Sequence, residues 1–236
     1  DRFKFIQNTD GNYTSERYSM TLPDLNTTGH STALKLVCIG VDAGTTAAGH
    51  YAYVQQKIEA QNLQHLQYGT AGAKTITLSF WVKSSLAGIY CVNLVKDDST
   101  AYLIPIEYTI TTADTWQKII IPISPTAGST SLITSAAGII NNDTGLGLAV
   151  DFILSAGSTY HGTNNTWTTS NILATSNQVN WLNSTSSRTF YITGVQLELG
   201  SSATPFEHRS YRDELARGVL FATILYGITI AIIKFI

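Results

Sequence analysis

The sequence predicts an all-β protein, an antiparallel two-sheet jelly-roll sandwich that is followed by an apolar C-terminal tail. Eight segments alternate apolar and polar residues with the period of two that is typical of strands. Clusters of Gly, Asp, Thr and Ala separate these segments as turns. No long amphipathic helix lies between them, which favours antiparallel sheets over a parallel sheet covered by helices.

The predicted strands follow one another at short intervals along the chain. They cover residues 33–41, 51–59, 74–84, 88–96, 102–110, 116–123, 146–154 and 188–199. The segment "IEAQNLQHL" (58–66) is the one stretch with a short helical pattern, and the longest polar loops lie at 155–187. We therefore expect one jelly-roll domain over residues 1–211 and a tail over residues 212–236.

The last predicted strand has two different faces. Because successive side chains of a strand point to opposite sides, alternation divides the strand into two sets. One set is Phe190, Ile192, Gly194, Gln196 and Glu198, and the other is Tyr191, Thr193, Val195, Leu197 and Leu199. We expect Val195, Leu197 and Leu199 to face the core, in a central strand. Gly200 and Pro205 then end the pairing, and the arm after them is expected to fasten the strand to a neighbouring sheet or subunit.

The composition argues against several classes of function. The 236 residues carry 14 basic and 16 acidic side chains, so there is no basic excess to hold a phosphate backbone, and we expect no nucleic acid as a partner. The sequence has no G-x-S-x-G motif, no phosphate-binding glycine loop and no evident pair of catalytic carboxylates, and we expect no enzyme activity. The two cysteines, Cys38 and Cys91, lie in apolar strand-like segments and are interpreted as buried free thiols; a disulfide is the alternative.

Aromatic residues in the polar loops are the candidate glycan-binding residues: Tyr160, Trp167 and Trp181. Exposed aromatic rings stack on the apolar faces of sugar rings, while polar side chains nearby bind the sugar hydroxyls. The alternative is that these rings cap the ends of the sandwich. For Trp181 this alternative is favoured, since "VNWLNS" has the pattern of a short strand.

The dipeptide Asp97-Asp98 is the candidate metal site, because carboxylate oxygens are good calcium ligands. A plain Asp-rich hairpin turn is the alternative. Apart from a structural calcium ion at this turn, we expect no cofactor.

The tail "GVLFATILYGITIAIIKFI" (218–236) is strongly apolar. It carries no charge from Gly218 to Ile233, which is shorter than the roughly 20 residues that a membrane-spanning helix needs. Its many isoleucines and interleaved threonines favour a strand, and an apolar strand must be covered on both faces. We therefore expect it to join copies of the chain through Leu220, Ile224, Ile228, Ile230 and Ile232. Membrane insertion, with Lys234 reaching the headgroups, is the alternative.

Several longer motifs resemble known families. The ordered segments "TITLSFWVKSS", "TADTWQKIIIPI", "GLGLAVDFIL" and "TFYITGVQLELG" resemble the β-jelly roll of carbohydrate-binding modules. More closely, "QNLQHLQYGTAGAKTITLSFWVKSS" and "FYITGVQLELGSSATPFEHRSYRDELAR" are similar to a domain of phage tail fibres and other phage structural proteins. The similarity runs from about Asp1 to Arg217. Arg212 stands where that family commonly has a glycine, and the apolar tail replaces a cysteine and a Tyr-rich polar segment.

The resemblance implies a non-enzymatic virion surface or tail-fibre protein, which is extracellular as part of the virion and binds host-surface polysaccharide. It also implies a homo-oligomer, a trimer by analogy with fibres, with other virion proteins as partners. One alternative is a structural virion adaptor or capsid decoration protein that binds no sugar. Another is a membrane-anchored surface protein, which rests on the tail alone.

Overall fold

The structure is a computed structural model that describes residues 3–40, 46–182 and 187–206. Ten strands form two five-stranded antiparallel sheets, which confirms the predicted all-β sandwich. The chain divides into two compact units, Asp1–Ala203 and Thr204–Ile236. The first unit is the sandwich. The residues predicted for oligomerisation, Leu220, Ile224, Ile228, Ile230 and Ile232, lie outside the described residues, so their role stays a prediction.

The first sheet has the strand order β1-β4-β9-β6-β7. Its strands are β1 (Phe3–Asn8), β4 (Tyr51–Glu59), β9 (Leu146–Ala156), β6 (Gly88–Lys96) and β7 (Tyr102–Ile110). The second sheet has the order β2-β3-β10-β5-β8. Its strands are β2 (Asn12–Ser19), β3 (Thr32–Gly40), β10 (Thr189–Leu199), β5 (Ile76–Ser84) and β8 (Gln117–Ile123). Every pairing is antiparallel, and β10 is central in its sheet, as predicted.

Three aromatic rings hold the centre of the core between the two sheets. Phe80 of β5 meets Phe152 of β9 edge to face, with ring centroids 5.1 Å apart, and meets Tyr108 of β7 in the same way at 5.2 Å. All three side chains are buried. Edge-to-face pairs add about 0.5–1.5 kcal/mol each beyond the burial of their apolar area. The contact therefore fixes how the sheets face each other as well as excluding water.

The eight predicted strands are all present, with ends that agree to within about two residues. The predicted helical turn at 58–66 is a 3₁₀ helix at Ala60–Leu66. Among the described residues, two strands and one α-helix were not predicted: β1, β2 and α1 (Leu22–Thr28). Strand β2 reads "NYTSERYS" and lies at the edge of its sheet, where most of its side chains meet water. Its apolar alternation is weak for that reason.

Helix α1 is short and well capped. The Thr21 hydroxyl accepts a hydrogen bond from the Asp24 amide, and Gly29 ends the helix with a left-handed conformation (φ 76°). No helix among residues 3–40, 46–182 and 187–206 is long and apolar enough to cross a lipid bilayer. Cys38 and Cys91 are both free and buried, which confirms their interpretation as thiols.

A β-bulge in β10 corrects the predicted faces of that strand. Thr193 pairs with Trp81 and Gln196 pairs with Ser79, so one extra residue is inserted between the two pairs. Gly194 adopts φ 58° inside the bulge, a left-handed conformation that glycine tolerates without a Cβ clash. As a result, the set of side chains that faces the core is different before and after the bulge. Phe190 and Ile192 are in the core before the bulge, and Val195 and Leu197 pack against the core after it.

The bulge makes the sequence prediction partly wrong. Val195 and Leu197 face the core as expected, but Phe190 and Ile192, which alternation grouped with Gln196 and Glu198, are buried. Leu199, which was expected in the core, is 51% exposed at the strand end. An uninterrupted period of two cannot describe a strand that contains one extra residue.

We expect Gly194→Ala to destabilise the fold more than Gly29→Ala does. Both glycines have positive φ, and a Cβ there costs about 1–2 kcal/mol. At Gly29 an added Cβ meets nothing within 4 Å, whereas at Gly194 it lies 2.3 Å from His30 Nε2 and displaces a buried imidazole. Urea unfolding of both variants measures the difference. Equal losses would show that the bulge tolerates a side chain.

Candidate functional site

The long loop at 157–182 packs onto the outer face of the first sheet. Its Thr168 exchanges two 2.9 Å backbone hydrogen bonds with Leu103 of β7, and its Val179 amide donates to the Ile89 carbonyl of β6. Leu173 and Ala174 form a small second core with Cys91 and Ile153. The loop therefore covers the sheet, which is why β9 is buried along almost its whole length.

The prediction that Trp167 binds glycan is wrong for this conformation, because the ring is inside the protein. Trp167 is 1% exposed and belongs to the main core. Its indole Nε1–H donates to the Ser124 carbonyl at 2.9 Å, which satisfies the one polar atom that burial would otherwise leave unpaired. A sugar cannot stack on a ring that presents no face to solvent. Trp167 closes one end of the sandwich, as the alternative interpretation held.

Trp181 is also buried, so its assignment to glycan binding is corrected for the same reason. It is fully covered, contacts Tyr13 with ring centroids 6.5 Å apart, and its Nε1–H donates to the Thr189 carbonyl at 3.3 Å. Its backbone amide donates to the Leu154 carbonyl of β9. Trp181 links the end of the covering loop to both sheets, through its ring to the second sheet and through its backbone to the first.

Tyr160 is half-buried and lies beside two tyrosines of β4. Its ring meets Tyr51 edge to face, with centroids 5.1 Å apart, and Tyr51 lies 5.8 Å from Tyr53. We call Tyr51, Tyr53 and Tyr160 the tyrosine patch. All three rings rest on the small second core with their other sides partly exposed. Among the residues that the structure describes, none donates to or accepts from the three phenol hydroxyls.

The sequence contained a pattern that locates the rest of this patch. In "YAYVQQK" the alternation places Tyr51, Tyr53, Gln55 and Lys57 on one face of β4. Ala52 and Val54 on the other face are in the main core, so the tyrosines point outward. The strand is predicted correctly from the sequence, and the alternation of its tyrosines is the signal that locates this part of the patch.

A row of polar side chains continues the patch across the sheet. Gln55 of β4, Asp151 of β9 and Asn93 of β6 are directly opposite one another on the outer face. All three are buried, and Gln55 Nε2 donates to Asp151 Oδ1 at 2.9 Å. Burial raises the pKa of Asp151 to about 7, although the Gln55 hydrogen bond and the Lys57 charge act in the opposite direction. Burial, and next the Asp151 carboxylate, raise the pKa of Tyr53.

The outer face of the second sheet carries a different aromatic cluster. The Lys83 ammonium lies 4.7 Å from the ring centroid of Tyr191, 5.0 Å from that of Trp116 and 5.6 Å from that of Tyr18. Asp24 of α1 completes the surroundings with an oxygen 3.4 Å from Lys83 Nζ. Cation–π contacts of this kind are worth about 0.5–2 kcal/mol each, depending on exposure.

This second cluster satisfies its own polar groups. Asp24 accepts from the Trp116 indole at 2.8 Å and from the Tyr18 hydroxyl at 3.1 Å. Burial acts to raise the pKa of Asp24, but the hydrogen bonds and the Lys83 charge outweigh it and lower the pKa overall. Because the ring faces are engaged by Lys83, we interpret the cluster as the attachment of α1 to the sheet. The alternation of "SFWVKS" indicates that Trp81 and Lys83 point outward together, away from the core.

A cleft of about 530 Å³ opens between the edge strands β1 and β2, which belong to different sheets. Phe3, Phe5 and Leu34 line its apolar wall, and Arg17 lies on β2 beside it. The apolar wall continues the main core. We therefore interpret the cleft as the open edge of the sandwich.

At the Asp97-Asp98 turn, a lysine ammonium occupies the position among the oxygen atoms that a calcium ion would take. Lys96 is fully buried, and its Nζ donates to the carbonyls of Asp98, Thr100 (3.0 Å) and Ala137 (3.3 Å). Both carboxylate oxygens of Asp98 accept from Asn141. Burial lowers the pKa of Lys96, and the two aspartates oppose this. The geometry favours the alternative of a hairpin turn, closed by Lys96. No three His, Cys, Asp or Glu side chains among the described residues form a metal-binding group.

We expect Trp167→Ala to destabilise the fold by about 3–5 kcal/mol, the range for removing a buried aromatic side chain. Trp167→Phe keeps much of the aromatic surface but removes the hydrogen bond to Ser124, and its loss of stability should be smaller. Tyr160→Ala removes a half-buried ring and is the matched control. Thermal unfolding followed by near-ultraviolet circular dichroism measures all three. A Trp167→Ala protein as stable as the wild type would restore an exposed role for this ring.

We expect Lys96→Met to cost about 2–3 kcal/mol, since three carbonyl oxygens lose the buried ammonium that donates to them. Lys118→Met, at an exposed position on β8, is the control and should change stability by less than about 0.5 kcal/mol. Chemical denaturation gives both values. Equal stability of the two variants would contradict the role assigned to Lys96.

Comparison with solved structures finds similar chains among sugar-binding and phage proteins. The enzymatically active domain of tailspike protein 4 of bacteriophage CBA120 is 13% identical with a TM-score of 0.45, over 84% of this chain and 19% of that chain. The family 11 carbohydrate-binding module of a Clostridium thermocellum cellulosomal cellulase is 11% identical with a TM-score of 0.41, over 89% and 91% of the two chains. A putative sugar binding protein from Bacteroides thetaiotaomicron is 13% identical with a TM-score of 0.44, over 84% and 88%.

These similarities are too distant to assign a function. This chain spans about a fifth of the length of the tailspike chain. No protein-family model matches the sequence, and no curated protein matches it.

Proposed function

We propose that this protein is a non-catalytic glycan-binding module and that the tyrosine patch is its binding surface. The observation that carries the proposal is the partial exposure of the three rings. Tyr51, Tyr53 and Tyr160 are packed on one side and partly exposed on the other. Their hydroxyls make no hydrogen bond to other described residues, so both the ring surfaces and the hydroxyls are available to a ligand.

The chemistry of the patch suits a sugar. Pyranose rings have apolar C–H faces that stack on aromatic rings, and their hydroxyls pair with phenol, amide and charged groups. Tyr51 and Tyr53 are two residues apart on β4, which separates their Cα atoms by about 6.6 Å. The exposed Lys57 follows on the same face and adds a hydrogen-bond donor with three N–H groups. The buried core beneath the rings holds them in place, so little side-chain entropy is lost on binding.

The second sheet is a weaker candidate because its aromatic cluster already contains a cation. Lys83 lies against Tyr18, Trp116 and Tyr191, and Asp24 uses its oxygens inside the same cluster. A sugar that stacked there would have to displace Lys83. This difference between the two aromatic surfaces selects the tyrosine patch.

The finer role that we propose is attachment of a virion to host-surface polysaccharide, as part of a tail fibre or another appendage. The tail-fibre motifs of the sequence support it, and so does the apolar tail, which suits assembly into an oligomer. The competing function is a structural virion adaptor that binds no sugar. The cluster around Lys83, whose polar groups pair with one another, favours the adaptor function in one respect. It shows that aromatic residues in this fold also serve packing alone.

We expect Tyr51→Ala to weaken binding of a bacterial surface polysaccharide by at least about tenfold, which corresponds to about 1.4 kcal/mol. A glycan array identifies the probe, and isothermal titration calorimetry with an oligosaccharide from it measures affinity. Tyr51→Phe separates the stacking contribution from that of the hydroxyl. Tyr191→Ala, at a half-buried tyrosine of the other sheet, is the matched control and should keep wild-type affinity if it folds.

Two results would contradict the proposal. Absence of binding to every surface polysaccharide on the array would favour the adaptor function. Loss of affinity in Tyr191→Ala together with unchanged affinity in Tyr51→Ala would move the site to the second sheet. Melting temperatures of all variants show whether a loss of affinity comes from unfolding.

A further inference from the structure

Asn93 is a buried amide with one unsatisfied atom. It lies on β6 beneath the covering loop, and its Nδ2 donates to the Ile172 carbonyl of that loop at 3.0 Å. Its Oδ1 is buried and accepts from no group among the described residues. An unpaired buried acceptor costs about 1–3 kcal/mol, so a donor is to be expected beside it.

Asp151 is the neighbour that could supply the donor. It is directly opposite Asn93 across the β6–β9 ladder, a relation that places two Cβ atoms about 4.5–5.5 Å apart on one face. On its other side Gln55 Nε2 donates to Asp151 Oδ1. An ionised Asp151 has only acceptor oxygens and would repel Asn93 Oδ1, whereas the protonated acid has an O–H to donate.

We propose that Asp151 is protonated in the native protein and that its carboxyl O–H donates a hydrogen bond to Asn93 Oδ1, and that loss of this proton to solvent loosens the covering loop. In the protonated state Asn93 is held from both sides, by Asp151 and by Ile172. In the ionised state a negative charge lies next to an unpaired oxygen directly under the loop. The link between the strand and the loop then weakens.

The charged and titratable groups around Asp151 are compatible with a carboxylic acid that keeps its proton near neutral pH. On β4, Lys57 favours ionisation and Tyr53 is a neutral phenol. Lys4 on β1 is opposite Gln55, one strand further away. The covering loop contacts the row through the Ile172 carbonyl, and its His161 ring bonds the Ala156 carbonyl instead. Burial outweighs these groups and raises the pKa of Asp151 to about 7.

The direction of the pH effect follows from this raised pKa. Between about pH 4 and pH 7 the folded chain binds one proton more than the unfolded chain does, so stability falls as the pH rises. The contribution is fully present below the ordinary carboxyl pKa and is lost as the pH passes through about 7.

The switch also affects the position of Tyr160. Ile172 is followed by Leu173, whose amide donates to the Tyr160 carbonyl at 2.8 Å, and Ala174 accepts from the Gly162 amide at 2.8 Å. These bonds join the two arms of the loop close to Asn93. Loosening at Ile172 therefore reaches the tyrosine patch. The importance of this effect for the tyrosine patch rests on the function proposed above, but the protonation of Asp151 does not.

Hydrogen exchange of the loop amides tests the proposal on the intact chain. We expect the protection factors of Leu173 and Gly162, corrected for intrinsic exchange, to fall at least about tenfold between pH 6 and pH 8.5. Asp151→Asn imitates the protonated acid, because its amide can donate to Asn93 Oδ1, and should keep the loop protected at both pH values. Asp114→Asn, an exposed turn residue, is the matched control and should behave as the wild type.

A carboxyl titration of the wild-type protein supplies an independent measurement if the Asp151→Asn protein does not fold. In a sample with ¹³C-labelled aspartate, we expect one carboxyl resonance to titrate near pH 7, well above the others. A wild-type protein in which every aspartate titrates near pH 4 would overturn the proposal. Loop protection that falls equally in wild type and Asp151→Asn would overturn it as well. Neither readout involves a glycan, so the proton switch and the glycan-binding function can fail separately.

Discussion

Burial of the first sheet on both of its faces is the constraint on which most of the structure depends. One face packs on the second sheet through Phe80, Phe152 and Tyr108, and the other lies under the loop at 157–182. Strand β9, in the middle of this sheet, is buried along nearly its whole length. Every polar group on that strand must therefore find its partner inside the protein. The loop cannot be a free recognition loop, because removing it would expose the small second core.

The same constraint decides which aromatic residues remain available to a ligand. Trp167 lies in the middle of the loop, next to the Thr168 bridge to β7, and Trp181 lies at its end. Both rings are in the core, with their indole N–H groups satisfied. The tyrosine patch lies at the margin of the covered area, where packing ends and solvent begins. A surface suited to binding thus arises at the border of a buried region, where side chains are held firmly but only partly covered.

Much of the fold could be predicted from the sequence, because strands with one buried face impose a period of two on the residues. This holds for the positions of β3 to β10 along the chain. It fails for β2, whose polar side chains at a sheet edge carry little alternation. It also fails within β10, where the extra residue at Gly194 moves the inward face from Phe190 and Ile192 to Val195 and Leu197. A bulge adds a residue without changing the composition, so alternation alone cannot place it.

The burial of Trp167 is similarly set by a distant partner, Ser124, which local polarity does not reveal. The outward tyrosines of β4, by contrast, can be predicted from the alternation of "YAYV".

The buried ammonium of Lys96 gives the turn at Asp97-Asp98 a property that a bound metal ion could not give. A cation attached to the chain by its own side chain has no dissociation constant, and its effective concentration at the three carbonyl oxygens is set by the covalent chain alone. A calcium-dependent turn gains stability in proportion to the logarithm of the free ion concentration and loses it when the ion is diluted or chelated. The turn closed by Lys96 has no such dependence. We therefore expect its geometry to be the same in calcium-poor fresh water, in sea water and in a chelating medium.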